Sequence, residues 1–120
     1  MTNNESQEMY LETILKLQKR KGTVHAIDVA EELGYSKPSV SRAVGIMKKD
    51  GFIVVRADGT IDFTDAGREK AARILDRHKS LTDALVKMGM ERGAAEENAC
   101  RVEHVLTEDA YETIKNYFKV

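Results

Sequence analysis

Residues 26–63 constrain the fold most, because they place two short apolar stripes on either side of a three-residue turn and follow them with a ribbon. Ala26, Val29, Ala30 and Leu33 fall at i, i+3, i+4 and i+7, one face of a short helix that Gly34 can terminate. Val40, Ala43, Val44 and Met47 repeat the spacing. Between the stripes Gly34-Tyr35-Ser36 supplies the turn, Ser36 stands as N-cap, and Pro38, the one proline, falls in the first turn where a missing N–H costs little. After Gly51, residues 52–56 and 60–64 are β-prone runs joined by Ala57-Asp58-Gly59, and Asp-Gly is a hairpin signal. This order of elements predicts a winged helix-turn-helix. The outward face of its second helix carries Lys37, Ser39, Ser41, Arg42 and Lys48, hydroxyls and cations suited to phosphates and base edges. A helix pair and hairpin that merely build a small core is the plainer alternative, and it leaves the turn, the cap and the basic face without a reason.

Charge narrows how such an element could meet nucleic acid. The formal net charge of the 120 residues is -1, which excludes a broadly cationic coat and leaves local charge to do the work. Over residues 36–56, Lys37, Arg42, Lys48, Lys49 and Arg56 meet only Asp50, whereas over residues 91–120 seven acids outnumber four bases. The single Cys100 cannot form an internal disulfide, and no apolar run approaches the roughly 18 residues of a membrane span. A soluble, cytoplasmic protein with no membrane partner is expected.

The rest of the chain reads as helix. Residues 1–5 are polar and expected to fray. Residues 9–19 carry Tyr10, Leu11, Ile14, Leu15 and Leu17, and Lys21-Gly22 ends that helix. Thr64 starts a long helix with Ala71, Ile74, Leu75, Leu81, Leu85 and Met88 in helical spacing. Ala95, Ala99, Val102 and Leu106 form a fifth stripe, and Thr107 caps a sixth helix with Ala110, Ile114 and Tyr117. The fold is therefore expected to be mainly α, with a winged helix-turn-helix DNA-binding domain at residues 1–66 and a helical domain at residues 67–120. Residues 91–120 are too short to fold alone and carry more apolar helix surface than so small a domain covers. A homodimer supplies the cover, and it also suits the successive major grooves of a palindrome.

A second set of residues carries different chemistry. Cys100, Glu103 and His104 lie at i, i+3 and i+4 on the fifth helix, Met9 and Glu12 are i, i+3 neighbours on the first, and His78 faces the seam of the long helix. All six could converge if those three helices pack together. Each also has a bland reading: Met9 as core filler, Glu12 as a solvated charge, His78 as a satisfied core histidine and Cys100 as a small hydrophobe. With Cys100 as nucleophile and His104 as base, an enzyme is a further possibility, but no nucleophile turn, phosphate loop or oxyanion donor set accompanies the pair.

The whole chain resembles the diphtheria toxin repressor and manganese transport regulator family of metal-dependent repressors. Glu8-Met9-Tyr10-Leu11-Glu12, Val29-Ala30-Glu31-Glu32-Leu33, Pro38-Ser39-Val40-Ser41, Thr64-Asp65-Ala66-Gly67, Arg77-His78 and Cys100-Arg101-Val102-Glu103-His104 fall in family order. The resemblance covers about residues 5–118. It implies a metal-binding and dimerisation role for residues 67–120, a primary metal site of Met9, Cys100, Glu103 and His104, and a second site around His78 to which Glu12 and Glu103 contribute. Met9 and Cys100 are like the iron-responsive branch. Glu12, and the short form without an SH3-like domain that is expected here, are like the manganese-responsive one. Where the iron branch has further second-site ligands, this chain has Thr82 and Glu96.

Thioether and thiolate donors favour iron(II), cobalt(II), nickel(II) or zinc(II) over manganese(II), so iron(II) is the expected effector, with manganese(II) the alternative. Zinc, cobalt or nickel is expected to substitute in vitro. The function implied is a repressor that binds double-stranded operator DNA as a homodimer when metal is bound. Its contacts are Ser36, Lys37, Pro38, Ser39, Ser41 and Arg42: Ser39 and Arg42 to base edges or backbone, Pro38 to a thymine methyl, Lys37 to phosphate. The rival is a metal-independent winged-helix regulator that keeps this DNA face and has no switch.

Overall fold

A computed structural model describes residues 3–120, with side chains from Ser6 onward. It divides into two compact units, residues 1–72 and 73–120. The first unit contains α1 (Asn3–Lys21), α2 (Ala26–Leu33), α3 (Lys37–Lys49), β1 (Ile53–Val55), β2 (Ile61–Phe63) and the start of α4 (Asp65–Lys87). The second contains the rest of α4, α5 (Arg92–Val102) and α6 (Glu108–Phe118).

Helix α1 begins at Asn3, earlier than the Met9 start expected. The frayed end expected for residues 1–5 therefore meets helical backbone at residues 3–5, and at residues 1–2 it lies outside the described residues. The extension escaped periodicity because its residues are polar, yet they include Glu and Gln, which lose little entropy in a helix. Tyr10, Leu11, Ile14, Leu15 and Leu17 are all buried, and Gly22 ends the helix with φ 89°.

The helix-turn-helix follows the sequence closely. Gly34 takes the left-handed conformation (φ 69°) and donates its N–H to Ala30 O, while Val29, Val40 and Met47 go to the core with Leu11 and Ile14 of α1. Ala43 and Val44 are only half-buried. The ribbon is shorter than the β-prone runs: β1 and β2 pair antiparallel with Ile53 opposite Phe63, Val54 opposite Asp62 and Val55 opposite Ile61. Gly59 (φ 86°) makes the turn, and Ile61 N donates to Val24 O at 2.7 Å, tying the ribbon to the segment before α2.

In the second unit Leu81, Ala99 and Tyr111 form a core cluster joined by Leu85, Val102, Leu106 and Ile114. Three expectations change here. Helix α5 ends at Val102, so Leu106 lies on the link and not on the helix. No glycine or proline marks that end. It is set by Thr107, whose extended backbone (φ -67°, ψ 157°) as N-cap of α6 keeps the two helices from merging. On α6 the buried residue is Tyr111, while Tyr117 of the expected stripe is 79% exposed. Met88 lies past the end of α4 and is also exposed. Among the described residues, no helix is long and apolar enough to cross a membrane.

Candidate nucleic-acid interface and metal centre

The DNA-facing candidates sit on one open face of α3. The Ser36 backbone is extended and its Oγ accepts from Ser39 N at 3.3 Å, so the helix starts at a capped end with Pro38 in its first turn. Ser36, Lys37, Pro38, Ser39, Ser41 and Arg42 are all exposed, while Val40 and Met47 hold the opposite side in the core. The Ser36 hydroxyl also bonds Ser39 Oγ at 2.9 Å, which fixes the rotamers of both. Lys48 and Lys49, both exposed, complete the last turn, where the carbonyl end of the helix dipole favours cations.

Arg56, counted in the sequence with this basic block, is committed to the wing's own fold. Its guanidinium lies 2.7 Å from Asp62, which Arg68 approaches at 3.5 Å and to which Gln18 of α1 donates at 3.4 Å. Arg56 first, then the Phe63 N–H, hold the Asp62 carboxyl below the usual aspartate range against the opposing effect of burial. A carboxyl depressed on folding adds stability above its unfolded pKa of about 3.9, and that stability is lost as pH falls through the folded value. Protection factors for amide exchange at Arg56 and Gly59, the turn donors, are accordingly expected to fall on acidification below about pH 4. Asp62→Asn is expected to weaken that pH dependence and leave the share of Asp58, whose carboxyl is held low by Thr60 in the same turn, and an unchanged acid profile would contradict the assignment.

The ligand candidates of the second unit gather around Glu103. Although α5 ends at Val102, the Glu103 backbone stays helical (φ -60°, ψ -28°) and its N–H donates to Ala99 O, so the one-face relation of Cys100, Glu103 and His104 persists through the cap. Glu103 is wholly buried, which no charge pattern in the sequence indicated. His78 Nδ1 lies 2.6 Å from its Oε2, and His104 Nε2 lies 3.1 Å from its Oε1. Which of these ring nitrogens donates is set by the tautomer of each imidazole. Cys100 is half-buried. Two imidazoles on a buried carboxylate, with a thiol on the same helix, are donors of the hardness and charge that a divalent transition metal takes.

Arg77, which sequence reasoning left without a role, holds this turn in place. Its Nη1 donates to Glu103 O at 3.0 Å and Leu106 O at 3.2 Å, its Nη2 pairs with Glu108, and its guanidinium lies 4.8 Å from the Tyr111 ring centre. The carbonyl of the α5 C-cap and one on the link to α6 are thereby satisfied. The one available signal was its place beside His78. Thr82 and Glu96 line an open cavity of about 240 Å³ with His78, Lys79, Asp83 and Arg92. The Thr82 hydroxyl there is spent on His78 O at 2.8 Å.

On α1, Glu12 is buried, with Oε1 2.7 Å from Lys16 Nζ, so it is not a solvated helix charge. Met9 is half-buried, and the Tyr35 hydroxyl donates to its sulfur at 3.5 Å.

Residues 3–61 match the family described as iron dependent repressor, N-terminal DNA binding domain, and residues 64–119 match iron dependent repressor, metal binding and dimerisation domain. The chain is 35% identical over 106 residues to the diphtheria toxin repressor of Corynebacterium diphtheriae, covering 85% of this chain and 46% of that protein. It is 36% identical over 103 residues to the iron-dependent repressor IdeR of Mycobacterium tuberculosis, covering 85% and 45%. It thus spans about half the length of the curated relatives it matches. A manganese-dependent transcriptional repressor solved with manganese has the same fold, with a TM-score of 0.85 at 23% identity over 94% of this chain and 52% of that one.

Proposed function

We propose, from the fact that the chain belongs to the iron-dependent repressor family, that it is a transcriptional repressor whose binding to double-stranded operator DNA depends on a divalent metal. The observation that carries the reading is the buried Glu103 carboxylate between His78 and His104, in a chain that also presents a capped, exposed recognition helix. Residues 1–66 are the DNA-binding domain and residues 67–120 the metal-binding and dimerisation domain of a homodimer acting in the cytoplasm on a palindromic operator. An enzymatic role for Cys100 and His104 finds no support in a family of repressors.

Met9, Cys100, Glu103 and His104 form the primary ligand set, and His78 with Glu12 and Glu103 the second. When bound, the metal supplies a fixed positive centre that makes the packing of the ligand-bearing helices depend on its presence. Glu103 provides buried negative charge, and Cys100 binds as thiolate. Met9 brings in α1, the helix that packs under the DNA-reading pair. Because Met9 and Cys100 are sulfur donors, iron(II) is the favoured effector over manganese(II), while zinc, cobalt and nickel bind in vitro. Ser36, Lys37, Pro38, Ser39, Ser41 and Arg42 make the operator contacts.

Anaerobic titration of operator binding with iron(II) and manganese(II) side by side tests this. Iron(II) is expected to tighten operator binding about 5–150-fold, the usual range of allosteric coupling, and operator must tighten iron(II) binding by the same factor. Equal operator affinity with and without metal would sink the proposal.

A further inference from the structure

We propose that Tyr35 is a positioning residue that ties the Met9 sulfur to the start of the recognition helix, so that the state of Met9 is passed to the DNA-reading face. The inference rests on the reading of Met9 as a metal ligand. Tyr35 sits between Gly34, which turns the chain in the left-handed conformation, and Ser36, which caps α3. Its backbone is fixed by Tyr35 N donating to Ala30 O at 3.1 Å. Its side chain turns back to α1, where the ring meets Tyr10 edge to face at 6.0 Å and the hydroxyl reaches Met9 Sδ.

The same turn of α1 also reaches the far end of α3. Gln7 Nε2 donates to Asp50 Oδ2 at 3.0 Å, and Asp50 is the C-cap of α3. Between these ends Tyr10 and Ser6 line a groove with Arg42, Ala43 and Ile46. The recognition helix is therefore seated on residues 6–10 of α1 at both termini, and Tyr35 is the link at the terminus that faces DNA. A thioether sulfur has two lone pairs. With one accepting from Tyr35, the other remains for a metal, and the hydroxyl fixes which way it points. Partners that orient a metal ligand in this way are typically worth 10–100-fold in metal affinity. Any reorientation of Met9 pulls on a side chain one residue from the Ser36 cap and near Ser39 and Arg42. Phenylalanine at this position would keep the edge contact with Tyr10 and lose the link.

Tyr35→Phe tests the proposal, with cobalt(II) and operator DNA as probes. In the metal-free protein the Met9 methyl resonance is expected to shift and amide exchange at Ser39 to quicken, at an unchanged melting temperature. Cobalt(II) affinity is expected to fall about 10–100-fold, and the factor by which cobalt(II) tightens operator binding to drop toward one. Wild-type coupling in Y35F, together with an unmoved Met9 methyl resonance, would overturn the role of Tyr35 and leave the metal reading standing. Operator binding in the unsubstituted protein that is indifferent to cobalt(II) and iron(II) alike would overturn both.

Discussion

Gly67→Ala is expected to destabilise the first unit by about 3 kcal/mol or more, the upper end of what overpacking costs. Gly67 is buried in the first turn of α4, and a Cβ there would stand 1.8 Å from Phe52 O, 2.7 Å from its carbonyl carbon and 3.1 Å from its Cα. All three atoms are backbone, so no rotamer change relieves the clash. Nor is Phe52 free to move: its carbonyl accepts from Thr64 N at 3.1 Å, and its N–H donates to Met47 O at 3.0 Å. Thr64 binds the same junction twice more, its hydroxyl donating to Gly51 O at 2.6 Å and accepting from Gly67 N at 3.1 Å. The methyl must either lift α4 from the wing or break the seam that joins the end of α3 to β1. Thermal unfolding should show a melting temperature lower by more than about 10 °C. A variant melting within a few degrees of the parent would mean that the close approach relaxes cheaply.

That junction shows where sequence reasoning succeeds and where it stops. The run from Ala26 to Phe63 was legible because its signals are local: stripes at helical spacing, a left-handed glycine, a serine N-cap and an Asp-Gly turn each act within a few residues. Gly67 fell within a recognisable motif, but the need for glycine comes from Phe52, fifteen positions away in the chain and invisible to periodicity. The end of α5 was missed because no breaker marks it, and the inward face of α6 was misjudged because Tyr111 and Tyr117 are equally apolar on paper. Arg56 looked like a DNA cation until its pairing with Asp62 gave it a structural task. At the ligand cluster, spacing put Cys100, Glu103 and His104 on one face and left the convergence of Met9, Glu12 and His78 with them conditional on helix packing, and the resemblance made the six a ligand set. The burial of Glu103 had no signal in the sequence, since an acid in an acidic segment reads as solvated.

Glu103→Gln is expected to separate metal binding from folding. The amide matches the carboxylate in volume, so Arg77 still finds Glu103 O and Leu106 O, both main-chain atoms, and the turn keeps its shape. Within the cluster, the amide oxygen accepts from one imidazole and the amide N–H donates to the other, each ring taking the tautomer that this requires. The melting temperature of the metal-free protein should then stay near the parent value, since the neutral amide relieves the cost of burying a charge while keeping a hydrogen-bonding group at both positions. Metal affinity should collapse. The buried negative charge is gone, and losing a direct donor is expected to cost at least the roughly 100-fold at the top of the range for outer partners. Cobalt(II) titration, followed by operator binding with and without iron(II), reads both effects. Normal stability with no gain from metal supports Glu103 as a ligand. Tight cobalt(II) binding by the variant removes Glu103 from the set and leaves its contacts with His78 and His104 a packing feature of the second unit.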